Sequence, residues 1–398
     1  MRQERGSISV SASILIAFLV PVSLSAQTPQ CEKVFEYILP EWEGMAVGAS
    51  GYQIWIQTRK DRAHPAADPP TIEERAALYS ALNTGAVASD CDGSRGHVRY
   101  LFSHDPSLRG WRFSYDYKSD GQTQRFWILD SAGHRGQEQQ ARELEPREYG
   151  PGDACAALEG AWEYVWEGRE GMFIQNGGYA AGVYSREERL PLDSDASADE
   201  QAAALEGTSG FATTYTCAGP RMEMAILHSS DPREEGDTIS ADFRVSGDTL
   251  RWWLLTEEGQ RGPEQIARRL RPGDPAMEIR ALLGALDRAQ NAGDLDAFLE
   301  LVDDGIVYMP PDGPAVVGKA ANAEFYRRMF DQVDLRIRHI PEQTFRDGAL
   351  VVTRGRAIGT MQAGGADAIP FDNKYLYVLR EGEDGLRLVQ VMYNAGPS

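Results

Sequence analysis

The side chains best suited to acid–base chemistry lie in the last quarter of the chain. A strand predicted at 335–345 places Leu335, Ile337 and His339 on one face, so we expect His339 to point inward. Asp372, near the start of a later predicted strand, is a second candidate for a base. An imidazole or a carboxylate in an apolar pocket can transfer protons near neutral pH. The alternative is that His339 is a core or surface histidine with its hydrogen bonds satisfied, and that Asp372 is solvated.

Three tyrosines accompany this histidine in the predicted site. Tyr308, Tyr326 and Tyr393 lie on elements that a compact C-terminal domain brings together, so we predict that they line a ligand pocket with His339. Half-buried core packing is the alternative interpretation for Tyr308 and Tyr393.

Motifs for metal, nucleotide or hydrolytic chemistry are missing from the sequence. The six histidines, at 64, 97, 104, 134, 228 and 339, show no His-x-His or His-Glu-x-x-His spacing. The chain also has no Gly-x-Ser-x-Gly elbow, P-loop or dinucleotide fingerprint. We therefore predict no cofactor and no metal. The formal net charge of -20 argues against nucleic acid or an anionic membrane surface as a partner.

An internal duplication organises the first two thirds of the chain. Residues 125–146 and 251–272 share 12 of 22 positions at an offset of 126, and 24 of 56 positions match when the alignment begins at Cys91 and Cys217. Such self-similarity indicates tandem copies of one structural unit. We place the copies at 31–146 and 155–272, with Pro- and Gly-rich linkers at 146–154 and 272–275.

The duplication also predicts how the four cysteines pair. Cys91 aligns with Cys217, while Cys31 and Cys155 each stand near the start of a copy. We therefore expect the disulfides Cys31–Cys91 and Cys155–Cys217, since a metal site has no CxxC or Cys-His clustering to support it.

The amino terminus is typical of a secretory signal. Residues 1–26 combine Arg2 and Arg5, an apolar run at 14–22 and small residues before Ala26. A periplasmic or secreted location follows, where disulfides persist. An uncleaved anchor is the alternative. No later stretch is long and apolar enough to span a membrane.

Short alternating segments within each copy predict antiparallel strands, with one helix at 71–82 or 196–205. Six to eight such strands fit a small closed barrel. Trp127 and Trp253, on matching strands, are expected either to line a cavity or to fill the barrel. Arg125 and Arg251 are candidates to close the barrel end against a tryptophan through cation–π stacking.

The second copy resembles bacterial lipocalin-like domains. The matching features are Gly160-Ala-Trp162, the strand at 210–215, Ser230-Asp-Pro232 and the turn at 247–250. The first copy departs from this pattern, with Pro40-Glu-Trp42 and a different turn at 121–124. The resemblance implies a cup-shaped barrel that holds a small apolar molecule, and it implies no catalysis.

Residues 275–398 change to an α+β pattern. Asp274 and Pro275 can begin a helix with an apolar face at 279, 282, 283 and 286, and Asp294 can cap the next one. A strand at 305–309, a third helix at 320–330 and four long strands follow.

This segment resembles the SnoaL-like, ketosteroid-isomerase-like branch of the nuclear transport factor 2-like superfamily. The resemblance rests on the segments 291–294, 304–310, 318–320, 384–385 and 391–394. Many relatives carry tryptophans near the end, where this chain has Leu386 and Tyr393. The resemblance implies a conical barrel around a pocket, in a superfamily that includes isomerases, cyclases and dehydratases. The exposed sheet face of such cones often supports dimers in related proteins, but the sequence leaves the oligomeric state of this chain open, with a dimer as one possibility.

Three functions remain open from the sequence. The leading hypothesis is an exported protein that binds a small apolar molecule. The alternatives are an acid–base isomerase, cyclase or dehydratase housed in residues 275–398, and a protein-interaction scaffold whose barrels are filled by side chains.

Overall fold

A computed structural model describes residues 30–150, 152–192, 195–311, 313–364, 366–382 and 385–394. The predicted signal segment, residues 1–26, lies outside the described residues. Within them, no helix has the length and apolar character needed to cross a membrane.

The first copy folds into a closed barrel of eight antiparallel strands. Helix α1 (Ile72–Ser80) lies between the third and fourth strands, and its amino terminus is fixed by a capping box between Thr71 and Glu74. The strands are β1 (Val34–Tyr37), β2 (Trp42–Ala49), β3 (Tyr52–Arg59), β4 (Leu82–Asp92), β5 (Arg95–Ser103), β6 (Arg112–Asp120), β7 (Thr123–Leu129) and β8 (Arg135–Glu143).

The second copy repeats this plan as a separate closed barrel. Helix α2 (Ala198–Glu206) has the same capping box, here between Ser197 and Glu200. The strands are β9 (Gly160–Tyr164), β10 (Arg169–Asn176), β11 (Tyr179–Arg186), β12 (Thr208–Ala218), β13 (Arg221–Ser229), β14 (Thr238–Ser246), β15 (Thr249–Leu255) and β16 (Arg261–Leu270). The predicted tandem barrels are therefore confirmed. None of the sixteen strands named above is shared between the two barrels.

Each barrel carries one disulfide at the same place. Cys31 is bonded to Cys91 and Cys155 to Cys217, with Cα atoms 5.9 and 5.5 Å apart. This is the pairing that the duplication predicts.

The two barrels pack against each other through their outer faces. Strands β2 and β3 of the first barrel and β10 and β11 of the second are buried on both sides, as their continuous apolar runs require. The side chain of Asn176 reinforces the contact by donating to the carbonyls of Glu32, at 2.8 Å, and Gly48, at 2.7 Å. The shared apolar cluster includes Met45, Val47, Ile54, Ile56, Met172, Ile174, Ala181 and Val183.

In the described part of the C-terminal domain, three helices pack on one sheet. The helices are α3 (Pro275–Asn291), α4 (Leu295–Glu300) and α5 (Lys319–Gln332). The sheet has the order β18-β17-β22-β21-β20-β19. Its strands are β17 (Val302–Met309), β18 (Val316–Val317), β19 (Val333–Asp347), β20 (Leu350–Ala363), β21 (Ile369–Gly382) and β22 (Gly385–Asn394). The predicted α+β class is confirmed, with the short strand β18 as an addition.

Helix α3 also contacts the first barrel through two glycines. A Cβ atom on Gly110 would lie 2.0 Å from the backbone nitrogen of Ala285, and one on Gly284 would lie 2.7 Å from the backbone nitrogen of Gly110. The close approach of the two backbones therefore depends on the absence of both side chains.

A buried ion cluster lies where all three domains meet. Glu170 of the second barrel is within 2.8 Å of Arg280, within 3.5 Å of Arg109, and in contact with Arg338. These arginines come from α3, from the first barrel and from β19. Burial raises the pKa of the Glu170 carboxyl, but the three positive charges outweigh burial and hold the pKa below its ordinary value.

The predicted stacking of Arg125 and Arg251 on tryptophans is wrong. The arginines over the rings are Arg135 on Trp127 and Arg261 on Trp253, each 4.6 Å from the ring centroid. Both tryptophans point outward from their strands, because the alternate residues 124, 126 and 128 of β7 and 250, 252 and 254 of β15 face the barrel interiors. Trp253 therefore does not line the interior of the second barrel.

Candidate functional site

The second barrel contains a preformed cavity of about 720 Å³. Its wall is dominated by aromatic and aliphatic side chains that alternate inward from strands β9 to β15. These are mainly Tyr164, Trp166, Phe173, Tyr184, Phe211, Met222, Met224, Ile226, Phe243, Leu250 and Trp252. A cavity of this size and character is typical of sites for small organic molecules.

The cavity has a closed end and an open end. At the closed end lies Leu158, which follows the short helical turn at 154–157 and accepts a hydrogen bond from the Trp162 indole at 2.7 Å. The Cys155–Cys217 disulfide ties this turn to strand β12. The open end is rimmed by exposed side chains, namely Glu167, Arg169, Glu234, Asp237, Ile239 and Leu254.

Two buried polar side chains stand without full partners at the closed end. Gln175 and Thr213 are 2% and 1% exposed, and the Gln175 Oε1 and Thr213 Oγ1 atoms have no hydrogen-bond partner among the described residues. They belong to one row across three strands, with the small Ala180 between them. A buried polar atom without a partner is costly, so the hydrogen-bonding capacity of this row is left partly unused.

The first barrel is filled by its own side chains. Its interior cavity measures about 150 Å³, in a wall that includes Tyr37, Trp55, Tyr100, Phe113, Tyr115 and Phe126. Tyr115 corresponds to Ala241 in the second barrel, and its directly opposed neighbour Gly96 corresponds to Met222. The Tyr115 ring therefore helps to fill the first barrel, whereas in the second copy the larger side chain of this pair is Met222, on the cavity wall.

A second candidate site is a buried hydrogen-bond network in the C-terminal domain. The ring of His339, on β19, is fully enclosed. Its Nδ1 lies 2.5 Å from Oδ1 of Asp287 on α3, and the carboxylate also accepts from the His339 backbone N–H at 3.1 Å. Because the Asp287 carboxylate accepts from both groups, Nδ1 is the ring nitrogen that donates to it, and Nε2 faces the opposite side of the ring.

Two phenols face Nε2 of the His339 ring. Tyr377 on β21 and Tyr393 on β22 lie 2.6 and 2.8 Å from His339 Nε2, and their hydroxyls also contact each other. Burial raises the pKa of both phenols well above the ordinary value, so both stay protonated and can donate. Tyr393 is part-exposed, so the network extends from the core to the surface.

Of the other predicted site residues, Tyr308 and Tyr326 lie beside this network, whereas Asp372 lies outside it. Tyr308 and Tyr326 pack together next to Tyr393, with ring centroids 5.8 Å apart, and burial raises the pKa of both. Asp372 is exposed and forms an ion pair with Arg356 at 2.7 Å. The structure therefore brings His339 together with Tyr393 but places Asp372 elsewhere.

Asp287 and Tyr377 belong to the network but were not predicted from the sequence. A signal existed for Asp287, because it lies four residues after Leu283 and so falls on the buried face of α3. A carboxylate on such a face indicates a buried partner. Tyr377 alternates with Tyr375 along β21, which places both rings inward. Gln175 and Thr213 had no comparable signal.

The groups able to act chemically in the C-terminal network are one imidazole, one carboxylate and two phenols. Among the described residues, no cluster of three or more histidine, cysteine, aspartate or glutamate side chains is arranged to hold a metal ion.

Comparison with known proteins identifies the C-terminal domain. Residues 283–389 match the family model described as a SnoaL-like domain, which covers less than half of the chain. A ketosteroid isomerase-like protein from Erwinia carotovora atroseptica is 23% identical, with a TM-score of 0.30, over 32% of this chain and 99% of its own. An NTF2-like protein with a cystatin-like fold from Novosphingobium aromaticivorans is 18% identical, with a TM-score of 0.26, over 30% of this chain and 80% of its own.

Among curated proteins, none matches the chain. The family match agrees with the resemblance predicted from the residues, and the barrels agree with the fold predicted for the two copies. The C-terminal part of this chain is therefore a SnoaL-like domain, and two tandem eight-stranded barrels precede it.

Proposed function

We propose that this protein is an exported carrier that binds a small apolar molecule in the cavity of its second barrel. The observation that carries the proposal is the contrast between the two copies: one interior of about 720 Å³ and one of about 150 Å³. Burial of apolar ligand surface in such a cavity supplies the main driving force for binding. The two disulfides are compatible with a periplasmic or extracellular location.

The proposal is tested with a variant in which an aromatic side chain occupies the interior of the second barrel, as Tyr115 does in the first. The double variant Met222→Gly/Ala241→Tyr copies the Gly96 and Tyr115 pair into the second barrel. We expect the native protein, purified from the exporting cell, to retain an organic-extractable molecule detected by mass spectrometry. The filled variant should retain none. If both proteins are empty, and the native protein binds 1-butylpyrene no better than the filled variant, the proposal is wrong.

A second candidate function is proton transfer in the SnoaL-like domain. It is favoured by the chain of contacts from Asp287 through His339 to the two phenols, because a carboxylate that orients an imidazole is a common arrangement for general acid–base catalysis. Isomerisation of a β,γ-unsaturated ketone to its conjugated form is one reaction of this class, and it needs proton removal at one carbon and return at another.

This second function is tested with such a ketone, whose conversion is followed by ultraviolet absorption. We expect His339→Gln to lower the rate by about 10²-fold or more, since general acid–base groups contribute that much. The matched control is Asp372→Asn, at an exposed ion pair, which should leave the rate unchanged. Equal rates for the native protein and His339→Gln would exclude catalysis by this network.

A further inference from the structure

The closed end of the second-barrel cavity has a specific chemical character. Gln175, Ala180 and Thr213 form one row across β10, β11 and β12, since Gln175 is paired with Ala180 and Ala180 with Thr213. Adjacent strands are about 4.8 Å apart, so the two polar residues stand two strand spacings from each other. Both side chains line the cavity, and the methyl group between them leaves room above the row.

The hydrogen-bonding capacity of this row is only partly used. The Gln175 Nε2 amide is 3.4 Å from the Met222 sulfur, a weak acceptor, while Gln175 Oε1 and Thr213 Oγ1 have no partner among the described residues. The free amide oxygen is an acceptor, and the free hydroxyl can donate or accept. A group that both donates and accepts, such as an alcohol, can therefore satisfy both.

The charged residues that line the cavity lie at its open end and not at its closed end. Among the described residues, every charged residue that lines the cavity is exposed, and these residues are Glu167, Arg169, Glu234 and Asp237. An ionised carboxylate that reached the closed end would lose its hydration without gaining a positive partner, which is strongly unfavourable. A neutral polar group loses much less.

We infer that the ligand of the second barrel is a neutral amphiphile, with an apolar body and one uncharged hydroxyl-type group that bonds Gln175 and Thr213 at the closed end. This inference rests on the proposed function of the barrel. It excludes fatty acids and other anionic amphiphiles as preferred ligands, and it selects alcohols over hydrocarbons of the same shape.

The test uses three fluorescent probes with one aromatic body and different ends: 1-pyrenebutanol, 1-butylpyrene and 1-pyrenebutyrate. Dissociation constants are measured with the full chain at a mildly alkaline pH, where the acid is ionised. We expect the carboxylate to bind weakest. In the variant Gln175→Leu/Thr213→Val, the affinity ratio of the alcohol to butylpyrene should fall about tenfold, since two hydrogen bonds to a buried hydroxyl are lost.

The outcomes separate the two proposals. An unchanged alcohol-to-butylpyrene ratio in the variant, or tightest binding of the carboxylate to the native chain, would overturn the inference while the carrier function stands. Failure of all three probes to bind the native chain would defeat the carrier function and the inference with it. If the double variant does not fold, the inference is still tested by comparing the affinities of the native chain for 1-pyrenebutanol and 1-pyrenebutyrate.

Discussion

Gly96 and Tyr115 are directly opposed on β5 and β6, and a Cβ atom on Gly96 would lie 2.3 Å from the Tyr115 ring. The phenol can cross the first barrel only because residue 96 has no side chain. The second barrel has Met222 and Ala241 in the same relationship, so its bulk is redistributed and its interior stays open. This exchange moves bulk from residue 222 to residue 115 and contributes to the difference between the two copies, together with Tyr100 in place of Ile226 and Phe113 in place of Ile239 on the barrel walls.

Removal of the Tyr115 ring should enlarge the interior cavity of the first barrel. We expect Tyr115→Ala to destabilise the protein by about 3 kcal/mol, the scale measured when buried aromatic side chains are truncated to alanine. The same variant should gain a second binding site for 1-butylpyrene. Urea unfolding and the probe stoichiometry check the two parts, and a stoichiometry that stays at the native value would contradict the assignment of Tyr115 as the filling residue.

The ion cluster at the domain junction should make stability depend on pH. The pKa of folded Glu170 is held below its ordinary value, so its contribution is complete above the unfolded pKa of about 4.3 and is lost as the pH falls further. At pH 7, Glu170→Gln should cost about 3–5 kcal/mol because it leaves buried arginines uncompensated. Denaturant unfolding of both proteins between pH 7 and pH 3 should show this difference shrinking below about pH 4.3.

A matched control for Glu170 is available in the second barrel. Glu264 forms an ion pair with Arg251 at 2.6 Å, but the two side chains are 40% and 45% exposed. Glu264→Gln should therefore cost at most about 1 kcal/mol at any pH. A similar cost for both variants at pH 7 would show that the buried cluster has no special role.

The contact between Asp287 and His339 should contribute strongly to the C-terminal domain. Asp287→Ala leaves the imidazole Nδ1–H and the His339 backbone N–H without an acceptor, so we expect a loss of about 3 kcal/mol in the free energy of unfolding. The downfield proton resonance of the imidazole should disappear as well. Asp372→Ala is the control and should change stability by less than about 1 kcal/mol, since its ion pair is exposed.

Gly284 offers a test of the contact between α3 and the first barrel. In an isolated helix, Gly→Ala would stabilise by about 1 kcal/mol. Here the new methyl group would lie 2.7 Å from Cγ of Arg109, so we expect Gly284→Ala to destabilise by about 2 kcal/mol instead. Gly382→Ala, where the nearest atom is 3.9 Å away, should change the unfolding midpoint little. A stabilised Gly284→Ala protein would disprove the close packing.

Much of the architecture followed from the sequence because its causes are local or repeated. The offset of 126 predicted two equivalent barrels and the pairing of Cys91 with Cys31 and Cys217 with Cys155. The apolar spacing and the capping aspartate at 274 predicted α3, whose observed bounds are Pro275–Asn291. Periodicity and capping depend on neighbours in the chain, so they can be read without a structure.

The site depended on relationships that a sequence does not express. The sequence indicated that His339 faces inward, but its contact with Asp287 joins residues 52 positions apart on a helix and a strand. The sequence likewise aligned Tyr115 with Ala241, yet only the closed barrel shows that the Tyr115 ring faces the interior and helps to fill it. Strand register and packing between elements are long-range properties, and they alone determine which polar atoms become buried together.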